Sequence, residues 1–204
     1  MIDTVVFDYG AVLVDWNPHY VYDPWFKGDV AKADWFLKNI CTMDWNVQMD
    51  AGKPFSEGVA ELSARYPEWK TEIELYFDHW FDMINPVPIP GMTEYVKELK
   101  ARGVKLYGLS NWSSETFPRV RHLFEVFDVL DGMVVSGYEG FIKPDPRLFQ
   151  ILFDRFHLNP AECVFIDDNL KNVEGARAVG MNAIQFTTKE DLVGPLESLL
   201  SAGK

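Results

Sequence analysis

The sequence predicts an α/β fold built on a doubly wound parallel sheet, because short apolar runs recur along its 204 residues and helical stripes separate them. A third observation, a long aromatic-rich interval without strand signals, predicts a helical insert after the first strand.

Val5-Val6-Phe7 is the first run, and residues 104–109, 133–135, 164–166 and 183–186 hold the others. Each is β-branched or aromatic and is bounded by turn-forming or charged residues, as strands buried on both faces of a parallel sheet are. Between them, Met92, Tyr95, Val96 and Leu99 follow the i, i+3, i+4, i+7 rule, and Gly103 stands where such a helix ends. Leu148, Ile151, Leu152 and Phe156 form a second stripe. Residues 170–179, closed by Gly180, and residues 192–200 complete the alternation.

From residue 15 to residue 90 the alternation stops. Trp16, Trp25, Trp35, Phe36, Trp45, Trp69, Tyr76, Phe77, Trp80 and Phe81 crowd this interval and read as its core. Pro18 and the run Pro86-Val87-Pro88-Ile89-Pro90-Gly91 bracket it, and prolines stiffen a connection while blocking helix continuation. The expected division is therefore a core of residues 1–14 and 91–204 and a helical insert of residues 15–90.

The formal charge of -12 and the lack of a Lys/Arg cluster exclude a nucleic-acid binder, which needs a basic stripe to neutralise phosphates. The same charge disfavours anionic membrane surfaces. No apolar run nears the roughly 20 residues of a membrane span. The chain opens directly on its first strand, without a basic cleavable leader, and the expectation is a cytoplasmic protein. Cys41 and Cys163 read as small buried hydrophobes. Nothing in the sequence reads on oligomeric state.

Ligands of open α/β sheets bind beyond the carboxyl ends of the strands. Four clusters stand there: Asp8-Tyr9-Gly10-Ala11-Val12, Ser110-Asn111-Trp112, Gly140-Phe141-Ile142-Lys143-Pro144 and Asp167-Asp168-Asn169. Taken singly, Asp8 is a plausible turn former, Ser110-Asn111 a cap for a helix starting near Ser113, and Lys143 a solvated loop residue. Adjacent carboxylates after a buried strand say more, since they repel unless a cation or a shared proton compensates. All four at one rim of one sheet predict a site.

Val5-Val6-Phe7-Asp8-Tyr9-Gly10, Leu109-Ser110-Asn111, Lys143-Pro144 and Phe165-Ile166-Asp167-Asp168-Asn169 together resemble the motif set of the haloacid dehalogenase superfamily, in the same order and across residues 2–186. The resemblance implies a Rossmann-like core, with residues 15–90 as a type-one helical cap. It is strongest to the branch with an Asp-x-Gly first motif, which includes glucose-1-phosphate phosphatases. By that resemblance the expected activity is magnesium-dependent hydrolysis of a small phosphorylated metabolite, a sugar phosphate among the candidates, through an aspartyl-phosphate on Asp8. Mg2+ would be held by Asp8, the Gly10 carbonyl and Asp168, with Asp167 binding directly or through water. Ser110, the Asn111 N–H and Lys143 would hold the phosphoryl oxygens, aided by the positive end of a following helix. Asn169 and Asn172 would orient the loop. One departure stands out. Most phosphatases of this superfamily carry a second aspartate where Gly10 stands, as general acid and base; Asp15 and then His19 are the nearest substitutes in sequence. The competing expectations are a metal-independent 2-haloacid dehalogenase and a phosphate-binding protein that does not turn over.

Overall fold

All five apolar runs become strands in the computed structural model, which describes residues 2–201. β1 (Thr4–Phe7) leads into α1 (His19–Trp25), α2 (Val30–Asn39), α3 (Met43–Asp50), α4 (Phe55–Arg65) and α5 (Lys70–Asp78). The chain then returns through α6 (Met92–Ala101) to β2 (Lys105–Ser110), α7 (Phe117–Val120), α8 (Val126–Val129), β3 (Gly132–Val135) and α9 (Ser136–Glu139). It closes with α10 (Pro146–Phe156), β4 (Cys163–Asp167), α11 (Leu170–Ala178), β5 (Asn182–Gln185) and α12 (Lys189–Ser201).

The sheet has the order β3-β2-β1-β4-β5, with every neighbouring pair parallel. The chain winds outward from β1 to β3 and then crosses back to β4, so the winding reverses between β1 and β4. Phe7 lies in register with Gly108 on one side and Ile166 on the other, which brings the ends of three strands to one level.

Alternation along the strands separates two apolar layers. Val6, Leu109, Val134 and Phe165 pack against Leu148, Phe149 and Leu152 of α10. Val5, Phe7, Val164 and Ile166 face Val96 and Leu99 of α6, and that layer continues into Tyr22, Phe36, Trp45 and Tyr76 of the helical interval. The aromatic residues of the interval form a core in large part, but Trp25 and Trp35 stay about half exposed, at 43% and 48%. Both cysteines are free and buried.

Three expectations need correction. Burial on both faces fails for β5, whose residues are half-buried or exposed because it is an edge strand with one neighbour. The fourth strand runs one residue further than its apolar run, so Asp167 still pairs with Gln185 of β5. No helix starts near Ser113; α7 begins at Phe117 and is four residues long. Its first residue stands six positions beyond Asn111. Among the described residues no helix is long and apolar enough to cross a membrane.

Gly108 shows how tightly the sheet end is packed. A Cβ there would stand 2.0 Å from the Tyr9 Oη and 2.4 Å from its Cε1. Tyr9 is fully buried, stacked on Phe117 at 5.6 Å and edge-on to Phe127 at 4.8 Å, so its ring has nowhere to retreat. Gly108→Ala is expected to lower unfolding free energy by about 1–3 kcal/mol, the usual range for overpacking. Urea unfolding measures it, and an unchanged midpoint would show that the ring can swing aside.

Candidate active site

β1 delivers Asp8 to the rim, where its N–H donates to the Ile166 carbonyl at 2.9 Å and so extends the pairing with β4 by one residue. The chain then turns sharply. The N–H groups of Leu13 and Val14 both donate to the Tyr9 carbonyl at 2.8 Å, and Ala11 takes a left-handed φ of 58°. This turn fixes Asp8, which the Tyr9 N–H also holds through Oδ1 at 2.7 Å. A Cβ on Gly10 would meet nothing within 4 Å, so the missing second carboxylate leaves open space.

Lys143 arrives from the loop between α9 and α10. Its Nζ lies 2.8 Å from Asp8 Oδ1 and 2.7 Å from Asp167 Oδ2, and its side chain is fully buried. The lysine is thus a counter-ion clamped between two strand ends, not a solvated loop residue. Asn111 holds it there by accepting from the Lys143 N–H at 2.7 Å and donating to its carbonyl at 3.1 Å. Burial works against the ammonium charge, yet the two carboxylates outweigh it and raise the Lys143 pKa. Burial pushes Asp8 up to about 7 against the pull of Lys143, with the Asp167 charge adding to the rise.

The two aspartates at the end of β4 differ. Asp167 is wholly buried, and its oxygens accept from Lys143, from the Asn169 N–H at 2.8 Å and from Asn172 Nδ2 at 3.1 Å. Asp168 faces a cavity, and burial followed by the Asp167 charge raises its pKa. Carboxylate oxygens of Asp8, Asp167 and Asp168 lie within 4.8 Å of one another. This is an all-oxygen donor set of the kind a hard divalent cation takes. One buried lysine does not balance three carboxylates, which gives such a cation an electrostatic reason to bind there.

The cavity, about 350 Å³, is lined by Asp8, Gly10, Ser110, Asn111, Asp168, Asn169 and Asn172 from the sheet rim. Trp16, Met43, Asn46, Val47, Asp50 and Trp80 enclose it from the helical interval. The predicted strand-end clusters therefore share one space, while Lys143 and Asp167 lie just beneath it. Asp15 and His19 do not line it. Asp15 accepts from Tyr20 Oη at 2.6 Å and from Asn85 Nδ2 at 3.0 Å, bracing the two connections to the helical interval. His19 is occupied by Asp23 at 2.8 Å and Asp34 at 3.4 Å.

Sequence reasoning missed Asp50, and a local signal was available. Asp50 is the last residue of α3, where the helix dipole is negative and an acid is unfavourable. An acid at that position is a feature the helix itself does not favour.

The sequence profile of the haloacid dehalogenase-like hydrolases matches residues 2–180. A sesquiterpene phosphatase of Aspergillus oryzae, astK, is 28% identical over 187 residues, covering 89% of this chain and 88% of that protein. A D-ribitol-5-phosphate phosphatase of Bacteroides thetaiotaomicron is 25% identical over 202 residues, covering 91% and 92%. Among solved structures, a haloacid dehalogenase family enzyme of Bacteroides thetaiotaomicron in complex with magnesium and inorganic phosphate superposes with a TM-score of 0.68. It is 19% identical and the match covers 95% of this chain and 98% of that one.

Proposed function

The chain belongs to the haloacid dehalogenase-like hydrolase family, and from that premise we propose that it is a magnesium-dependent phosphomonoester hydrolase with Asp8 as its nucleophile. One observation carries the reading: Asp8 sits on the cavity floor, in reach of Lys143 and within one oxygen cluster with Asp168. In this reading the helical interval of residues 15–90 is a cap over the rim of a core formed by residues 1–14 and 91–204.

Attack by the Asp8 carboxylate on phosphorus would expel the alcohol and leave an acyl phosphate, which water then cleaves. Lys143 has three N–H donors and spends two on Asp8 and Asp167. The third would serve the phosphoryl group. Ser110 and the Asn111 N–H would take the remaining oxygens, while the Asn111 side chain keeps Lys143 in place. Asp8, Asp168 and the Gly10 carbonyl would hold magnesium. Asp167, its oxygens already committed, fits a supporting role better than direct ligation. Bound magnesium would supply charge neutralisation at the transferring group.

At about 350 Å³ the cavity is at the lower end of ligand pockets, which run from about 300 to 1,000 Å³ and favour a small ester here. Trp16 Nε1 is buried and has no hydrogen-bond partner among the described residues.

Chelation separates this reading from metal-independent dehalogenase chemistry, for which the Asp167-Asp168 pair would repel a carboxylate substrate. EDTA is expected to lower turnover of p-nitrophenyl phosphate at least about 100-fold, and excess magnesium to restore it. Undiminished turnover in EDTA would remove the metal from the proposal. Failure of any phosphate ester to turn over, with magnesium still bound, would favour a phosphate-binding protein.

A further inference from the structure

The reaction needs a group to protonate the departing alcohol and deprotonate the attacking water, and Gly10 supplies none. General acid–base help of this kind is worth about 10²–10⁴ in rate. Asp15 and His19 are committed outside the cavity. Of the cavity's three carboxylates, Asp8 and Asp168 belong to the nucleophile and the cation cluster. The third, Asp50, comes from α3 of the helical interval.

Resting on the phosphatase reading above, we propose that Asp50 of α3 is the catalytic general acid and base, placed over Asp8 from the cap.

Its surroundings fit the task. Asn46 Nδ2 donates to Asp50 Oδ2 at 3.1 Å, the Ser113 N–H donates to the same carboxylate, and Tyr76 Oη donates to Asn46 Oδ1 at 3.1 Å. The backbone is pinned too: Ser136 Oγ donates to the Asp50 carbonyl at 2.5 Å and accepts from the Trp112 N–H at 3.0 Å. Asp50 is therefore held rigidly against the segment that leaves β2 through Ser110 and Asn111. Burial pushes its carboxyl up to about 7, with the Ser113 N–H and the Lys143 charge opposing. A group that ionises near neutrality can give and take a proton in one cycle.

In the first step the Asp8–phosphorus bond forms as the ester P–O bond breaks. The bond's electron pair leaves with the ester oxygen, which takes the Asp50 proton and departs as the alcohol. In the second step water attacks phosphorus and yields a proton to the Asp50 carboxylate. The P–O bond to Asp8 breaks, its electron pair returns to Asp8, and inorganic phosphate leaves with Asp50 protonated again.

The test is leaving-group dependence, read as kcat/KM with magnesium for wild type and Asp50→Asn. Asparagine keeps the size and the acceptor for Ser113 but carries no acidic proton. Alkyl phosphates, whose alcohols leave poorly unprotonated, are expected to lose about 10²–10⁴-fold. p-Nitrophenyl phosphate, whose leaving group is stable as an anion, is expected to change less than about tenfold. Misfolded variant lowers both substrates equally, so the ratio survives imperfect folding. An equal loss on both classes, or no loss on either, overturns the role of Asp50. Asp8→Asn run alongside tests the reading beneath it: if that variant stays active, the nucleophile itself is wrong.

Discussion

Asp8→Asn is expected to abolish turnover of every phosphate ester, a loss on the order of 10⁴-fold or more, as removal of a nucleophile commonly costs. The amide has no carboxylate oxygen to give an acyl phosphate, yet it keeps the shape of the side chain and an acceptor for the Tyr9 N–H. Charge accounting says that the fold will not suffer. Asp8, Lys143 and Asp167 form a buried cluster of two anions and one cation, and removing one anion leaves a balanced pair. The sign follows from the direction of the shift. The folded pKa of Asp8, about 7, lies above the ordinary carboxylate value of 3.8. Its contribution to stability is therefore present below about pH 4 and is lost as pH rises toward 7. The variant does not titrate there, so in metal-free buffer it should gain on wild type across that window, by a few kcal/mol at most. A metabolite screen with magnesium and thermal melts at pH 4 and pH 7 measure both effects. Surviving activity would remove Asp8 from its role, and a lower melting temperature at pH 7 would refute the accounting.

Lys143→Met reverses that balance, leaving two buried carboxylates with no cation between them. Breaking a buried ion pair by deleting one partner costs about 3–5 kcal/mol, which is a large share of a domain's stability. Activity should vanish as well. Loss of the ammonium lifts Asp8 further above its ordinary value, so the deficit should be greatest near neutrality and shrink as acid protonates the cluster. Urea unfolding at pH 5 and pH 7.5, with chelator present, measures it. Equal stability of variant and wild type at pH 7.5 would mean that Lys143 is not the counter-ion the geometry makes it.

Much of this arrangement was legible in the residues. The five strands were, because β-branched runs bounded by turns have few other readings, and the strand-end rule then gathered Asp8, Ser110, Asn111 and Asp168 around one cavity. The connections between those residues were not. Asn111 meets the Lys143 backbone 32 positions away, and Lys143 meets Asp167 24 positions away. Such pairings depend on loop paths that leave no periodic trace. Nearness in sequence points to Asp15, whereas the structure ties it to Asn85, 70 residues on. Asp50 was hidden for the opposite reason. It lies in an interval rich in tryptophan and phenylalanine, where an acid at a helix end marks an oddity but not the cavity it lines, which shows once α3 is laid over the rim.

The open space at Gly10 bears on what this turn can carry. Nothing stands within 4 Å of a Cβ there, and the backbone is outside the left-handed region, so an acid can be gained at this turn without rebuilding it. A carboxylate introduced at Gly10 would thus enter the space that Asp8 and Asp50 already line, with the turn left intact.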